Sequence, residues 1–241
     1  MAFLEQTQGP FALSLSKGVP GIALALRPAI GASRSETILR GRAKACETCG
    51  MPEPDIHDWP LPYETHLAER AASAIDLVVV HCTELPDMAM AREFGERIRH
   101  DESQTGNCGH YYIDRDGRMS RFVGDLRVAH HVYRYNPRSI GIELVNLGRY
   151  PHWADSRHQA FTEAYTEAQI QSLLALLEHL KRRLPSLQWI AGHDVLDQRT
   201  EPASDNPALL LPRRLDPGPM FPWDRVVAAS GLRRFVVEPA N

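Results

Sequence analysis

The run Ile75-Asp-Leu-Val-Val-Val-His81 constrains this chain more than any other segment. Leu77 to Val80 is apolar throughout and rich in side chains branched at Cβ, which favour an extended backbone. A short run of this kind, without alternation, reads as a buried strand. Such a strand must be covered, and the sequence supplies the elements to do it. Ser139-Ile-Gly-Ile-Glu-Leu-Val-Asn146 alternates and reads as a second strand. Leu187-Gln-Trp-Ile-Ala191 reads as a third, delivering Gly192-His193. His110 to Asp114, then Arg115-Asp-Gly117, then Arg118 to Phe122 reads as a hairpin, because Gly117 tolerates the positive φ of a tight turn. The strongest helix spans Glu167 to Leu184. Thr166 and Gln169 match a capping box, and Ile170, Leu173, Leu174, Leu177 and Leu180 recur on one face. Lys181, Arg182 and Arg183 suit the negative end of the helix dipole, and Pro185 stops the helix. Asp87 to His100 has helical character, with Met88, Ala91, Phe94 or Gly95, and Ile98 as its apolar face. Pro222 to Ala229 reads as a short closing helix. Strands and helices alternate, so the expected class is α/β: a mixed central sheet flanked by helices.

Residues 1–60 differ from the rest. Gly, Pro, Ser and short apolar pieces alternate without a period, and Met51-Pro-Glu-Pro-Asp-Ile-His-Asp-Trp-Pro-Leu-Pro62 reads as an extended linker. Lys17 and the apolar residues after it make a poor secretory signal: the stretch starts late, holds two glycines and a proline, and runs into Arg27-Pro28. The expectation is a poorly ordered leader or linker over 1–60 and one domain over 61–241, with its core at about 73–230. A hydrophobic fraction of 43% is enough for a substantial core. The net charge of -3 gives no electrostatic footprint for nucleic acid. The longest apolar runs fall far short of the roughly 18 residues of a membrane span. Cys46 and Cys49 form a single CxxC without two further ligands at zinc-knuckle spacing and read as incidental. Four cysteines are too few for a disulfide scaffold.

Two histidines end strands, His81 after Val78-Val-Val80 and His193 after Gly192. Strand ends of an α/β sheet point side chains into a crevice. Either histidine alone reads as a surface or satisfied polar group. Asp216-Pro-Gly-Pro219 adds a carboxylate at the entrance of a rigid turn, since proline fixes φ; its bland reading is a cap before Phe221-Pro-Trp223. Together they form a His/His/Asp set, and three protein ligands with an open fourth position are what a catalytic zinc requires. HExxH, GxSxG, P-loop and GxGxxG patterns are all missing, which sets aside zincin, serine-hydrolase, NTPase and dinucleotide chemistry.

Six motifs in order then carry a resemblance: Val78-Val-Val-His81, His110-Tyr-Tyr-Ile-Asp-Arg-Asp-Gly117, Ala129-His-His131, Asn136-Pro-Arg-Ser-Ile-Gly-Ile-Glu143, Ala191-Gly-His193 and Asp216-Pro-Gly-Pro-Met-Phe-Pro-Trp223. Over residues 73–230 the chain resembles the type 2 zinc N-acetylmuramoyl-L-alanine amidases, which share a fold with phage amidase lysozymes and animal peptidoglycan recognition proteins. The resemblance implies one zinc ion on His81, His193 and Asp216, with Glu143 as general base. Arg214 stands where relatives place a lysine and would stabilise the oxyanion. His131, Arg134 and Asn136 would contact substrate, with Tyr133 and Tyr135 in the same loop. Gly109 replaces a tyrosine of some phage relatives. Asp194 and Asp197 are rival ligands closer to His193 in sequence. The inserted Glu201-Pro-Ala-Ser-Asp-Asn-Pro207 would form a groove wall or lid. The implied activity is cleavage of the bond between N-acetylmuramic acid and L-alanine in peptidoglycan or muropeptides, with a non-catalytic peptidoglycan-binding module as the alternative. The bacterial cell envelope or periplasm is favoured over the cytoplasm, and no oligomeric state is implied.

Overall fold

A computed structural model describes residues 53–237 of the chain. The strands are β1 (Ile56–Asp58), β2 (Leu77–Cys82), β3 (Ile98–His100), β4 (Thr105–Gly106), β5 (Tyr111–Ile113), β6 (Met119–Arg121), β7 (Ser139–Leu144), β8 (Trp189–Gly192), β9 (Thr200–Pro202), β10 (Leu210–Pro212) and β11 (Arg233–Arg234). The helices are α1 (Met88–Glu96), α2 (Glu167–Arg183), α3 (His193–Leu196) and α4 (Trp223–Ser230). Among the described residues the central sheet has seven strands in the order β1-β6-β5-β7-β2-β8-β11. Only β5 and β6 pair antiparallel within it, as the two arms of the expected hairpin, and Gly117 in their turn has φ +87°. The sheet is therefore mixed, as expected.

β2 and β7 lie side by side at its centre and are paired in parallel, with His81 opposite Glu143. Alternation along the strands sorts their side chains. Val78, Val80, Ile140, Ile142 and Leu144 face α2 and α4, where they pack with Ile170, Leu173, Leu176, Leu177, Leu180 and Val226. Leu77 and Val79 face the other way, against Val132 and Ala191. His81 and Glu143 share that second face.

Three expectations need correction. The stretch ending in Trp59-Pro60 is not all linker: β1 adds to the sheet edge in parallel with β6, and Trp59 and Leu61 donate backbone hydrogen bonds to Arg121 and Phe122. Apolar pattern alone hid this strand, because Ile56-His-Asp58 is mostly exposed. The helix after Asp87 ends at Glu96, and Ile98 sits exposed in β3, paired with β4, instead of on the helix face. On α2, Leu176 is fully buried while Leu174 is only partly so. The leader over 1–52 and the pair Cys46 and Cys49 lie outside the described residues.

Candidate metal centre and active-site cavity

His81 is the fifth residue of β2, and His193 opens α3 directly after β8, the strand next to β2. Asp216 arrives from the loop after β10. Its backbone carbonyl accepts from the Asp194 N–H at 3.0 Å, and the following Pro217 carbonyl accepts from the Tyr165 hydroxyl at 2.6 Å. The three side chains are buried and converge. His81 Nδ1 lies 3.0 Å from Asp216 Oδ2 and 3.1 Å from His193 Nδ1, and His193 Nδ1 lies 3.2 Å from the same Asp216 oxygen. Ligands about 2.0–2.1 Å from a tetrahedral zinc stand about 3.3 Å apart, so this triangle has the right edge for a single small dication. Burial holds the His81 imidazolium down, to about 4, so His81 is neutral and free to ligate at neutral pH.

Neither rival carboxylate joins the triangle. Asp197 is bound by Arg199 and Arg213 and stays 4.0 Å from the outer nitrogen of His193. Asp194 is outside the cluster.

The triangle opens into a cavity of about 550 Å³ lined by His81, His193, Asp216, Glu143 and Arg214 among others. Glu143 is half-buried and faces this space. Burial and then the Asp216 charge push its carboxyl up to about 8, while Arg214 acts in the opposite direction. Gly109 allows Glu143 its position: a Cβ at 109 would come within 2.8 Å of the Glu143 Cγ. Arg214 lines the cavity, and its buried Nε has no protein partner.

The residues expected to touch substrate have different placements. His131 lines the cavity, but its Nδ1 also stands 2.9 Å from His81 Nε2, and its Nε2 stands 3.2 Å from the Ser139 hydroxyl. With His81 Nδ1 turned to the metal position, His81 Nε2–H donates to His131, His131 donates to Ser139, and Ser139 donates to the Tyr135 carbonyl at 2.8 Å. His131 thus fixes the tautomer and ring orientation of His81. Its ring lies on Gly141 of β7, where any Cβ would meet it at 2.6 Å. Asn136 also lines the cavity, with its side-chain oxygen accepting from the backbone N–H groups of His131 and Val132 at 3.0 and 2.8 Å. Arg134 is exposed, has φ +68°, and is not among the lining residues; Tyr133 lines the cavity and Tyr135 packs on Phe235. The segment between His193 and Asp216 holds a ribbon, β9 paired antiparallel with β10, that brings Arg199 and Arg213 to the cavity.

Two groups escaped the sequence reading. Glu84 and Arg149 form a buried bidentate pair at 2.7 and 2.8 Å, and Arg149 also reaches the carbonyls of Trp153, Pro212 and Arg213. Nothing in the spacing of these two residues announces the pair. His100 and His130 pack with their rings tilted, 4.4 Å between centroids, on the cavity wall, and adjacent histidines at 130 and 131 are the one available signal.

The family model described as N-acetylmuramoyl-L-alanine amidase matches residues 71–219, more than half of the chain, and the chain belongs to that family. No curated protein sequence matches it. Among solved structures it is similar to the endolysin N-acetylmuramoyl-L-alanine amidase LysCS from Clostridium intestinale URNW, with 20% identity and a TM-score of 0.53 over 76% of this chain and 99% of that one. It is similar to a selenomethionine derivative of AmpD, with 25% identity and a TM-score of 0.50 over 75% and 96% of the two chains. AmiD from E. coli, in complex with the substrate anhydro-N-acetylmuramic acid-L-Ala-D-gamma-Glu-L-Lys, gives 23% identity and a TM-score of 0.50 over 69% and 61%. The mixed sheet with its helices is the fold these proteins share. No helix among the described residues is long and apolar enough to cross a membrane.

Proposed function

We propose that this protein is a zinc hydrolase that cleaves the amide between N-acetylmuramic acid and L-alanine in peptidoglycan or its muropeptide fragments, and so takes part in peptidoglycan turnover. The observation that carries this reading is the buried triangle of His81, His193 and Asp216 beside Glu143, within a fold and family of amidases. Zinc at such a site supplies Lewis acidity, polarising a carbonyl and making water a nucleophile near neutral pH. The remaining work falls to the chain. Glu143 takes a proton from the attacking water and returns it to the departing alanine nitrogen. A carboxyl held near neutrality by burial, with a bound cation pulling it back down, suits both steps. Arg214 donates to the oxygen that gains charge as the carbonyl is attacked. A complete donor set with a general base beside it favours catalysis over a binding-only module.

The test is digestion by the purified, zinc-loaded chain, with mass analysis of products from intact sacculi and from soluble muropeptides in parallel. Free stem peptide bearing a new L-alanine amine is the expected product. A chelator should abolish it, and Glu143→Gln should lower turnover by about 10²–10⁴-fold while zinc stays bound. Turnover that survives both the chelator and His193→Ala would refute the reading. Cleavage of sacculi would favour the cell envelope or periplasm as its place of work, and restriction to soluble fragments the cytoplasm.

A further inference from the structure

The side of the cavity next to His193 is cationic, and its charge is built in. Arg199 immediately precedes β9 and Arg213 immediately follows β10. The Arg213 N–H donates to the Arg199 carbonyl at 2.9 Å, which extends the ribbon ladder and sets the two side chains side by side. Both reach Asp197, whose side chain is only 1% exposed. Arg199 grips it through Nε and Nη2, each at 2.6 Å, and Arg213 through Nη1 at 3.2 Å. Glu201 lies 4.0 Å from Arg213 Nε and is itself exposed. Arg199 also stacks on the Tyr133 ring at 4.4 Å, where the exposed Arg134 approaches to 5.3 Å.

Arg199, Arg213 and the neighbouring Arg134 outnumber Asp197 and the exposed Glu201, so the assembly keeps a positive charge. Tyr133, Asp197, Arg199 and Arg213 all line the cavity, and the arginine side chains remain 46% and 37% exposed toward it and the solvent. Their orientation is paid for by Asp197 and Tyr133 in the free protein, which is what a planar, bidentate anion site requires. On the floor of the same cavity Arg214 stands beside Glu143 and Asp216 and is taken by the reacting carbonyl in the hydrolase reading, so the ribbon arginines are the cations left for a second anionic group of the ligand.

This inference rests on the hydrolase reading. In a stem L-Ala-D-γ-Glu-L-Lys the glutamyl residue is joined through its side chain, so its α-carboxylate is free. One residue, at most about 3.6 Å of chain, separates the scissile nitrogen from the glutamyl nitrogen. We propose that Arg199 and Arg213, cross-linked by Asp197, form a carboxylate subsite for the α-carboxylate of the γ-linked D-glutamyl residue. The chain thereby reads its substrate with the β9–β10 ribbon.

The experiment uses two probes that differ in one group: N-acetylmuramoyl-L-Ala-D-γ-Glu-L-Lys and the same compound with its glutamyl α-carboxylate as a carboxamide. kcat/KM is measured with the zinc-loaded protein, and Kd by calorimetry with zinc-loaded Glu143→Gln. The acid form should be preferred by at least about tenfold in both, the scale of a charge-assisted hydrogen bond. The preference should fall to within about twofold in Arg199→Gln/Arg213→Gln. Each single variant, which leaves Asp197 one partner, should lower it partway and guards against failure of the double variant to fold. Equal handling of the two probes by the unmodified protein overturns the subsite, as does a preference that survives the double variant. Binding of the acid form without cleavage of either probe keeps the subsite and removes the hydrolase reading. Equal cleavage of both keeps the reaction and removes the subsite, and binding of neither removes the subsite outright.

Discussion

Single side chains in this site divide into those that meet the metal position and those that aim them. His131 belongs to the second group: its Nδ1 accepts from the outer nitrogen of His81. Outer partners of this kind typically contribute 10–100-fold in metal affinity. His131→Ala should therefore weaken zinc binding by about that factor in a competition titration against a chelating dye. An unaltered zinc affinity would return His131 to a purely substrate-facing role. The sequence made His81, His193 and Asp216 legible because each follows a local rule, a strand end or a proline-locked turn. Glu143 and Arg214 became legible only through the ordered motifs. His131, Arg134 and Asn136 were read into one substrate-facing loop, and the roles of His131 and Asn136 as supports were hidden. Their partners, His81 and the backbone of residues 131 and 132, depend on how the loop folds back over Gly141.

At the scale of elements, agreement follows the strength of local signals. The capping box of α2 is present as read: the Thr166 hydroxyl accepts from the Gln169 N–H, and the Gln169 side chain accepts from the Thr166 N–H. Thr166 Oγ1 also donates to the Arg115 carbonyl at 2.6 Å, which ties the helix start to the hairpin. Thr166→Ala should cost about 1 kcal/mol, within a range of about 0.5–2, seen as a lower urea midpoint at unchanged m. The β5–β6 hairpin was equally legible, because an Asp-Gly turn carries its own backbone demand. Short exposed strands were not. β1, β3, β9 and β10 are two- or three-residue pairings held by backbone hydrogen bonds to partners elsewhere in the chain, and their side chains carry no period.

Across the whole molecule, Arg149 joins segments that the sequence keeps apart. Its guanidinium pairs with Glu84 just after β2 and reaches the carbonyls of Pro212 and Arg213 just before Arg214. Both partners are buried, so truncating one strands the other. Arg149→Ala should destabilise the protein by about 3–5 kcal/mol by chemical denaturation. Replacing the pair together, Glu84→Leu with Arg149→Met, should cost clearly less than Arg149→Ala alone, since no isolated charge remains. Equal losses in the two variants would show that a stranded buried charge is not what makes Arg149→Ala costly.

His81 and Glu143 stand opposite each other on neighbouring strands, about 4.8 Å apart along the hydrogen-bonding direction. That gap is a lattice constant of the sheet, inherited from its repeat and indifferent to what happens at the rim. Changes in rim segments such as the β9–β10 ribbon can thus be accepted, and new recognition grafted onto them, without retuning the reactive centre. The vulnerable edit is the small one: removing a single residue inside β2 or β7 would rotate base or ligand to the helix-covered side and extinguish the site in one step.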